Sequence, residues 1–301
     1  MRASFRERGG VMFPHIAWQL EAMIAAIIAH RPHLTRPTEQ ALRAVPRHWF
    51  VPPVGESLEG DGRSALIDRE TDPPAWWDAV YAGRPIVADD GCSCPAPWAV
   101  ADLLELLRPA PGQRVLEVGT RTGWTTALLC RLAGRSGSVT SIEADATVAE
   151  QAAKNLAAAG TLPHLVVGDG TAGWAERAPY DGVLATYSAR TVPYAWIAQT
   201  KPGGVVVTPY GDGHALRLVV GPDGTASGGF SPLATMKRAG LDSPPGAVLA
   251  MDVLAGDVLA GRRDACRTWT DWGEPEPERF GVTITPGGQR VWLDSPERVV
   301  G

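Results

Sequence analysis

Apolar residues near the start of the chain recur every three or four positions, which is the spacing of a helix that buries one face. This pattern covers residues 16–29 and ends before Pro32, and residues 38–44 show a second helical stretch. Residues 55–75 are polar and rich in glycine, aspartate and proline. Since such composition is typical of connections between elements, we expect a long surface loop there.

From residue 97 onward, short runs of β-branched residues alternate with helical patterns. The runs predict strands at 114–118, 138–143, 165–167, 182–185, 205–208 and 216–220, and the helical patterns predict helices at 98–107, 124–132 and 147–159. Thr147 and Glu150, at the start of the last helix, have the spacing of a capping box. Alternation of this kind predicts an α/β fold with a doubly wound, mostly parallel sheet.

This alternation is lost after about residue 236. Residues 241–259 have partly helical spacing, and residues 281–293 have the pattern of a strand, a turn and a strand. The change predicts three regions, namely an N-terminal helical segment with a loop (1–80), a core domain (81–236) and a small C-terminal accessory module (237–301).

Charge and cysteine content narrow the classes of function. The formal net charge of −5 disfavours a nucleic-acid partner. The apolar run at 22–29 is too short to span a bilayer, so we expect no membrane partner. The four cysteines are scattered, and Cys92 and Cys94 lack a second pair or a histidine cluster at zinc spacing. We therefore expect reduced thiols, no metal and a cytoplasmic location.

A loop flanked by glycines follows the first strand of the alternating region. Gly119 ends that strand and Gly123 precedes the next helix. Glycines at such an elbow let a ligand approach the backbone and the free N–H groups of the helix. The spacing differs from that of dinucleotide folds and phosphate-binding loops, and no lysine follows, so NAD and ATP are disfavoured.

Two further features suit the same ligand. Glu143 ends the second strand and offers a carboxylate to the two hydroxyls of a ribose. Gly168-Asp169-Gly170 follows the third strand and offers backbone groups and a carboxylate to an adenine. Together with the glycine loop, these features predict an adenosyl site that has no phosphate anchor. S-adenosyl-L-methionine is the ligand that fits this description best.

Six motifs follow one another along residues 38–235. They are Ala44-Val45-Pro46-Arg47 with Phe50-Val51-Pro52, Cys92-Ser93-Cys94-Pro95, Glu117-Val118-Gly119 through Gly123-Trp124, Gly168-Asp169-Gly170, Ala178-Pro179-Tyr180-Asp181 and Lys201-Pro202-Gly203-Gly204. This ordered set resembles the protein-L-isoaspartate O-methyltransferase family. The resemblance implies a Rossmann-like class I methyltransferase fold, S-adenosyl-L-methionine as cofactor and a carboxylate as methyl acceptor.

The resemblance also implies roles for individual residues. Ser93 falls at the active-site serine of the family, and Cys92, Cys94, Pro95 and Trp98 are expected to line the substrate pocket. Cofactor contacts are implied at Glu117, Gly119, Thr120, Gly123, Trp124, Glu143, Ala144, Asp169 and Gly170. Without the resemblance, the Ser93 hydroxyl fits equally well as a cap on the helix that begins near Pro97.

Arg121 departs from the family pattern, which has glycine in the middle of this loop. We expect that Arg121 fits the turn without strain only if its φ angle is negative. Its side chain is then expected to point outward or to reach the methionyl carboxylate of the cofactor. A loop that could not bind the cofactor would instead make the chain a non-catalytic peptide binder.

The end of the chain, residues 279–294, resembles relatives that modify ribosomally made peptides such as lanthipeptides and graspetides. We therefore favour esterification of an aspartate side chain in such a peptide, which leads to aspartimide or isoaspartate. The alternative is repair of isoaspartate in damaged proteins. In the first case the C-terminal module enlarges the contact with one peptide, and in the second it caps the edge of the sheet. Trp76 and Trp77 are predicted to lie either in a mobile lid or in a packed loop.

Overall fold

The computed structural model describes residues 14–59, 63–88, 91–211, 213–233 and 267–300, together with positions 249 and 265. The helices are α1 (Pro14–His30), α2 (Arg36–Ala44), α3 (Pro73–Tyr81), α4 (Pro97–Leu107), α5 (Trp124–Ala133), α6 (Ala146–Ala158) and α7 (Tyr194–Ala198). The strands are β1 (Val54–Leu58), β2 (Ser64–Asp68), β3 (Ile86–Val87), β4 (Ser93–Cys94), β5 (Arg114–Val118), β6 (Ser138–Glu143), β7 (His164–Val167), β8 (Tyr180–Ala185), β9 (Thr200–Tyr210), β10 (His214–Val220), β11 (Ala226–Pro232), β12 (Phe280–Thr285) and β13 (Gly288–Leu293). Within these ranges no helix has both the length and the hydropathy that a membrane span requires.

Nine of the strands in the described ranges form the main sheet, in the order β13-β12-β11-β10-β9-β8-β5-β6-β7. The five strands β7, β6, β5, β8 and β9 pair in parallel in this order, as the alternating sequence pattern predicts. Strands β10 to β13 are added by antiparallel pairing. The sheet is therefore mixed, with four antiparallel pairings among the eight. Only the half from β9 to β7 in this order is the parallel sheet that the sequence predicts.

Helices cover both faces of the parallel half, as expected for a doubly wound sheet. Leu128 of α5 and Leu156 of α6 belong to one apolar cluster, and Trp196 of α7 belongs to the other. Successive residues of a strand point to opposite faces. Within β5, Val115 accordingly joins the first cluster and Leu116 joins the second.

The carboxyl ends of the central parallel strands meet at one edge of the sheet. Val118 pairs with Ile142 on one side and with Ala185 on the other, while Glu143 pairs with Val167. The chain starts the sheet at β5, continues outward through β6 and β7, and then crosses to β8. This reversal opens a crevice beyond β5 and β8, which is where open α/β sheets bind ligands.

Residues 55–75 do not form the predicted surface loop. Strands β1 and β2 pair within a second sheet of order β2-β1-β3-β4, and α3 begins at Pro73. The prediction was wrong because the alternating buried positions of β1 hold Gly55 and Ser57, and β2 buries one residue, so neither strand shows an apolar alternation. Trp76 is fully buried in α3, and its indole N–H donates to the Pro52 carbonyl oxygen at 2.9 Å. This tryptophan is therefore a packed core residue.

Asp145, not Thr147, caps helix α6. One oxygen of the Asp145 carboxylate accepts from the backbone N–H groups of Thr147 at 2.7 Å and Val148 at 3.1 Å. The helix begins at Ala146, which places Thr147 inside the first turn. The predicted capping box was wrong for this reason.

The C-terminal strands continue the main sheet. β12 pairs with β11 and β13 pairs with β12, which confirms the strand–turn–strand predicted at 281–293. Val282, Ile284 and Leu293 are buried in the second apolar cluster. The helical stretch predicted at 241–259 lies outside the described residues, apart from position 249.

Candidate active site

The loop between β5 and α5 makes a tight turn at the carboxyl edge of the sheet. Gly119 has a φ angle of 97° and Gly123 one of 90°, both in the left-handed region that favours glycine. A Cβ atom on Gly119 would lie 2.4 Å from Oγ1 of Thr186. That hydroxyl donates to the Gly119 carbonyl oxygen at 2.6 Å. The sequence pattern does not single out Thr186, which follows β8 and reaches the loop only in the folded sheet.

Arg121 adopts a φ angle of 54°, so it does not meet the condition for an unstrained turn. A non-glycine residue in this region costs roughly 1–2 kcal/mol. The Arg121 backbone N–H donates to Oε2 of Glu143 at 2.8 Å, and this bond ties the loop to the end of β6. The guanidinium forms no hydrogen bond or ion pair with any described residue. The side chain is half-buried beside the crevice.

Glu117 lies beneath the loop and is fully buried. Its Oε2 accepts hydrogen bonds from the hydroxyls of Thr126 at 2.5 Å and Ser141 at 2.6 Å, and Ser141 also contacts the Thr120 hydroxyl at 2.6 Å. Oε1 has no partner among the described residues. Burial raises the pKa of Glu117 to about 8, against the smaller opposing effect of these hydrogen bonds. A neutral carboxyl group therefore links β5, β6 and α5 behind the loop at neutral pH.

Glu143 is half-buried at the end of β6 and faces three backbone donors. Besides Arg121, the N–H groups of Ala144 at 3.0 Å and Asp145 at 3.3 Å donate to its carboxylate. An ionised carboxylate has about four acceptor positions, so capacity remains for the two hydroxyls of a ribose. These backbone bonds fix the orientation that such a contact requires.

The segment that follows β7 lies at the same edge. The Gly168 N–H donates to the Glu143 carbonyl oxygen at 2.9 Å, and a Cβ atom on Gly168 would meet no atom within 4 Å. Asp169 is exposed, and its carboxylate accepts from the backbone N–H of Thr171 at 2.9 Å and from its hydroxyl at 2.7 Å. Those two bonds lower the pKa of Asp169. The segment thus presents backbone and an ionised carboxylate to open space.

Gly170 has a second, structural requirement. A Cβ atom there would lie 2.1 Å from Cγ1 of Val118, so the close approach of this segment to β5 needs glycine. The indole N–H of Trp196 donates to the Gly170 carbonyl oxygen at 2.8 Å. Trp196 belongs to α7, which is distant in sequence, and sequence reasoning did not identify it.

Ser93 lies in β4 of the second sheet, where it pairs with Val87. Its side chain is half-buried, whereas Cys94 is fully buried. The residue that precedes α4 is Ala96, and no side chain caps that helix. The alternative role of Ser93 as a helix cap is therefore wrong. Trp98 is half-buried, and its indole N–H donates to the Gly83 carbonyl oxygen.

The residues predicted to contact the cofactor fall into two groups. Glu117, Thr120, Gly123 and Trp124 are buried behind the loop. Those with exposed surface at the crevice edge are Gly119, Glu143, Ala144, Asp169 and Gly170. The exposed group combines a glycine turn, a carboxylate suited to a ribose and a carboxylate suited to an adenine. This donor set fits S-adenosyl-L-methionine, and the buried group lies behind it.

The fold and this edge define the class I methyltransferases that depend on S-adenosyl-L-methionine. Comparison with known proteins narrows the class, because the model of the protein-L-isoaspartate(D-aspartate) O-methyltransferase family (PCMT) matches residues 64–221. The chain therefore belongs to this family of carboxyl methyltransferases.

Two archaeal relatives illustrate the sequence similarity. The protein-L-isoaspartate O-methyltransferase of Methanopyrus kandleri is 36% identical over 181 residues, which cover 60% of this chain and 71% of that protein. Protein-L-isoaspartate O-methyltransferase 2 of Archaeoglobus fulgidus is 35% identical over 192 residues, which cover 64% of this chain and 78% of that protein. These similarities confirm the predicted family.

Solved structures agree at the level of the fold. A protein-L-isoaspartate O-methyltransferase superposes with a TM-score of 0.65 at 20% identity and covers 92% of this chain and 100% of its own. A Plasmodium falciparum protein solved in complex with S-adenosyl-L-homocysteine superposes with a TM-score of 0.55 at 12% identity, covering 73% of this chain and 97% of its own.

Proposed function

We propose that this chain transfers a methyl group from S-adenosyl-L-methionine to the free carboxylate of isoaspartate residues in damaged polypeptides. The observation that carries the proposal is the family match over residues 64–221, which includes both the Ser93 segment and the glycine loop. The two archaeal relatives carry this activity in their names. The repair hypothesis thus has better support than peptide tailoring, which the sequence alone favours.

The acceptor carboxylate needs little activation by the protein. A carboxyl group with a pKa near 4 is already ionised at neutral pH, so no general base is required. When bound, the cofactor would supply a methyl group carried by a sulfonium. Once the methyl group is transferred, the remaining sulfur is a neutral thioether and so a good leaving group. The chain has to align a carboxylate oxygen with that methyl group and to exclude water.

The proposed roles follow from placement and chemistry. The Ser93 hydroxyl donates one hydrogen bond that orients the acceptor carboxylate. Glu143 accepts from the ribose hydroxyls, and the segment around Asp169 and Gly170 binds the adenine. The resulting methyl ester is attacked by the next backbone nitrogen, which loses its proton as methanol leaves and a five-membered imide closes. Water then opens the imide and returns part of the material as ordinary aspartate.

Peptide tailoring remains a prediction that no described feature favours. Strands β12 and β13 belong to the main sheet and bury Val282, Ile284 and Leu293, which is what a cap on the sheet edge does. The solved family member covers 92% of the chain, more than residues 1–236 of 301 can supply. Its fold therefore extends into the C-terminal region, so that region does not by itself indicate a special peptide partner.

Methyl transfer to defined peptides tests the proposal. The purified chain is incubated with methyl-labelled cofactor and two peptides of unrelated sequence, each made with isoaspartate and with aspartate. We expect label in both isoaspartyl peptides and in neither aspartyl peptide. Label in the aspartyl form of one sequence alone would support tailoring, and cofactor binding without any transfer would support the non-catalytic binder.

Two variants assign the proposed roles. Ser93→Ala should lower kcat about tenfold, the effect of losing one hydrogen bond to a charged group. Glu143→Gln should raise the KM for the cofactor more than the KM for the peptide. Ser64→Ala removes a hydroxyl from an exposed position in β2 of the same small sheet and serves as the control.

A further inference from the structure

One buried arginine joins several backbone segments of the N-terminal region. Arg47 follows α2 and has no exposed surface. Its Nη1 donates to the Val80 carbonyl oxygen at 2.6 Å, at the end of α3. Its Nη2 donates to the carbonyl oxygens of Arg84 at 2.8 Å, Cys94 at 3.1 Å and Pro95 at 2.9 Å. Two of these four acceptors directly follow Ser93 in the chain.

The charge of Arg47 has no carboxylate partner among the described residues. Taking a guanidinium out of water costs several kcal/mol, and a cluster of carbonyl oxygens must compensate for that cost. A planar guanidinium presents five donors in fixed directions, whereas a lysine ammonium offers three from a single point. The four carbonyl oxygens that Arg47 contacts therefore exceed the three donors of a lysine ammonium.

The same residue also contacts the helix behind the glycine loop. The guanidinium carbon of Arg47 lies 5.6 Å from the ring centre of Trp124, which is within the range of a cation–π contact. The Trp124 indole N–H donates to the Val45 carbonyl oxygen at 3.1 Å. Since Trp124 is the first residue of α5 and directly follows Gly123, Arg47 borders both halves of the candidate site.

We infer that Arg47 is a positioning residue that holds the Ser93 segment in register with the glycine loop. Its guanidinium contacts the two carbonyl oxygens that follow Ser93 and the Trp124 ring that follows Gly123. The inference rests on the proposed function in one respect, namely that Ser93 orients the acceptor. Its physical consequence is a fixed distance between the acceptor and the bound methyl group, so Arg47 contributes to kcat through Ser93.

The test compares Arg47→Lys with Arg217→Lys. Arg217 also donates to a backbone carbonyl oxygen, that of Leu106 at 2.8 Å, but it is only half-buried and lies on β10 away from the site. Displacement of a reacting group by about 1 Å can cost about 100-fold in rate, so we expect Arg47→Lys to lower kcat by at least tenfold. Cofactor affinity, measured by calorimetry, should stay close to that of the wild type. Arg217→Lys should leave kcat unchanged.

Hydrogen exchange supplies a readout that does not depend on activity. In Arg47→Lys, the peptide that covers residues 91–96 should exchange faster than in the wild type, while the peptides of α5 and β6 should not change. Equal exchange in the two proteins, or a loss of kcat no larger than in Arg217→Lys, would overturn the inference. If the wild type fails to methylate isoaspartyl peptides, the proposed function is wrong, and the exchange rates alone decide whether Arg47 holds the segment.

Discussion

At the scale of single residues, Glu117 connects pH to stability. Burial raises its pKa to about 8 in the folded chain, compared with 4.5 for an ordinary glutamate. Below pH 4.5 both states hold the proton, and the stabilising contribution is complete. Between pH 4.5 and 8 the unfolded chain loses the proton and the folded chain keeps it, so stability falls as pH rises. Above pH 8 neither state holds the proton, and the whole stabilising contribution has been lost.

We therefore predict that Glu117→Gln removes part of the pH dependence of unfolding. One proton bound only in the folded state gives a slope of about 1.4 kcal/mol per pH unit. Urea unfolding of the wild type should show such a decline between pH 5 and 8, and the variant should show a flatter profile. Glu176→Gln, at an exposed position, is the control. Parallel profiles for the wild type and Glu117→Gln would contradict the buried, protonated carboxyl group.

Arg121 gives a second prediction at this scale. Arg121→Gly keeps the backbone N–H that donates to Glu143. It relieves the cost of an arginine at a positive φ angle, but it also increases the conformational freedom of the unfolded chain. We expect the free energy of unfolding to change by less than about 1 kcal/mol. Calorimetry should show that both proteins bind the cofactor. Binding by the variant alone would mean that Arg121 blocks the loop.

The sequence identified the residue types of the site but not the direction in which each side chain faces. Glu143 and Asp169 were identifiable because each ends or follows a predicted strand at the ligand-binding edge. Glu117 shares a motif with Gly119, yet it is buried because it points toward α5 rather than the crevice. Thr186 and Trp196 were missed because their contacts with the loops depend on long-range packing.

At the scale of elements, the N-terminus of α6 offers a direct comparison. The Asp145 carboxylate accepts hydrogen bonds from two backbone N–H groups there. Loss of such a cap typically lowers the free energy of unfolding by about 1 kcal/mol. Asp145→Ala should therefore lower the free energy of unfolding by about that amount. Thr147→Ala, at the position that sequence spacing favours, should change it much less. Chemical unfolding of both variants measures the difference, and the reverse order would restore the predicted capping box.

Strands and helices of the parallel half were predictable because short β-branched runs alternate regularly with helical patterns. The bounds of β5 and β6 match the prediction residue for residue. β1 and β2 were missed because the buried positions of β1 hold Gly55 and Ser57 and only one residue of β2 is buried, so neither strand shows an apolar period. The position of β12 between β11 and β13 could not be predicted either, since sequence spacing predicts strands but not their partners.

At the scale of the whole molecule, β12 and β13 are part of the core rather than an independent module. Ile284 is almost fully buried in the second apolar cluster. Ile284→Ala should cost about 2–5 kcal/mol in unfolding free energy, the range for large-to-small core substitutions. Val219→Ala, at an exposed position in β10 of the same sheet, should cost far less. A loss at Ile284 no larger than at Val219 would show that the C-terminal strands are not packed against the sheet.

The proposed repair activity is tested most directly by whether isoaspartate is converted to aspartate or aspartate to isoaspartate. An equal mixture of the isoaspartyl and aspartyl forms of one peptide is incubated with the chain and S-adenosyl-L-methionine, and both forms are quantified over time by chromatography and mass spectrometry. We predict that the isoaspartyl form declines, that a transient methyl ester and imide form, and that the aspartyl form accumulates. A decline of the aspartyl form with accumulation of isoaspartate would contradict the account.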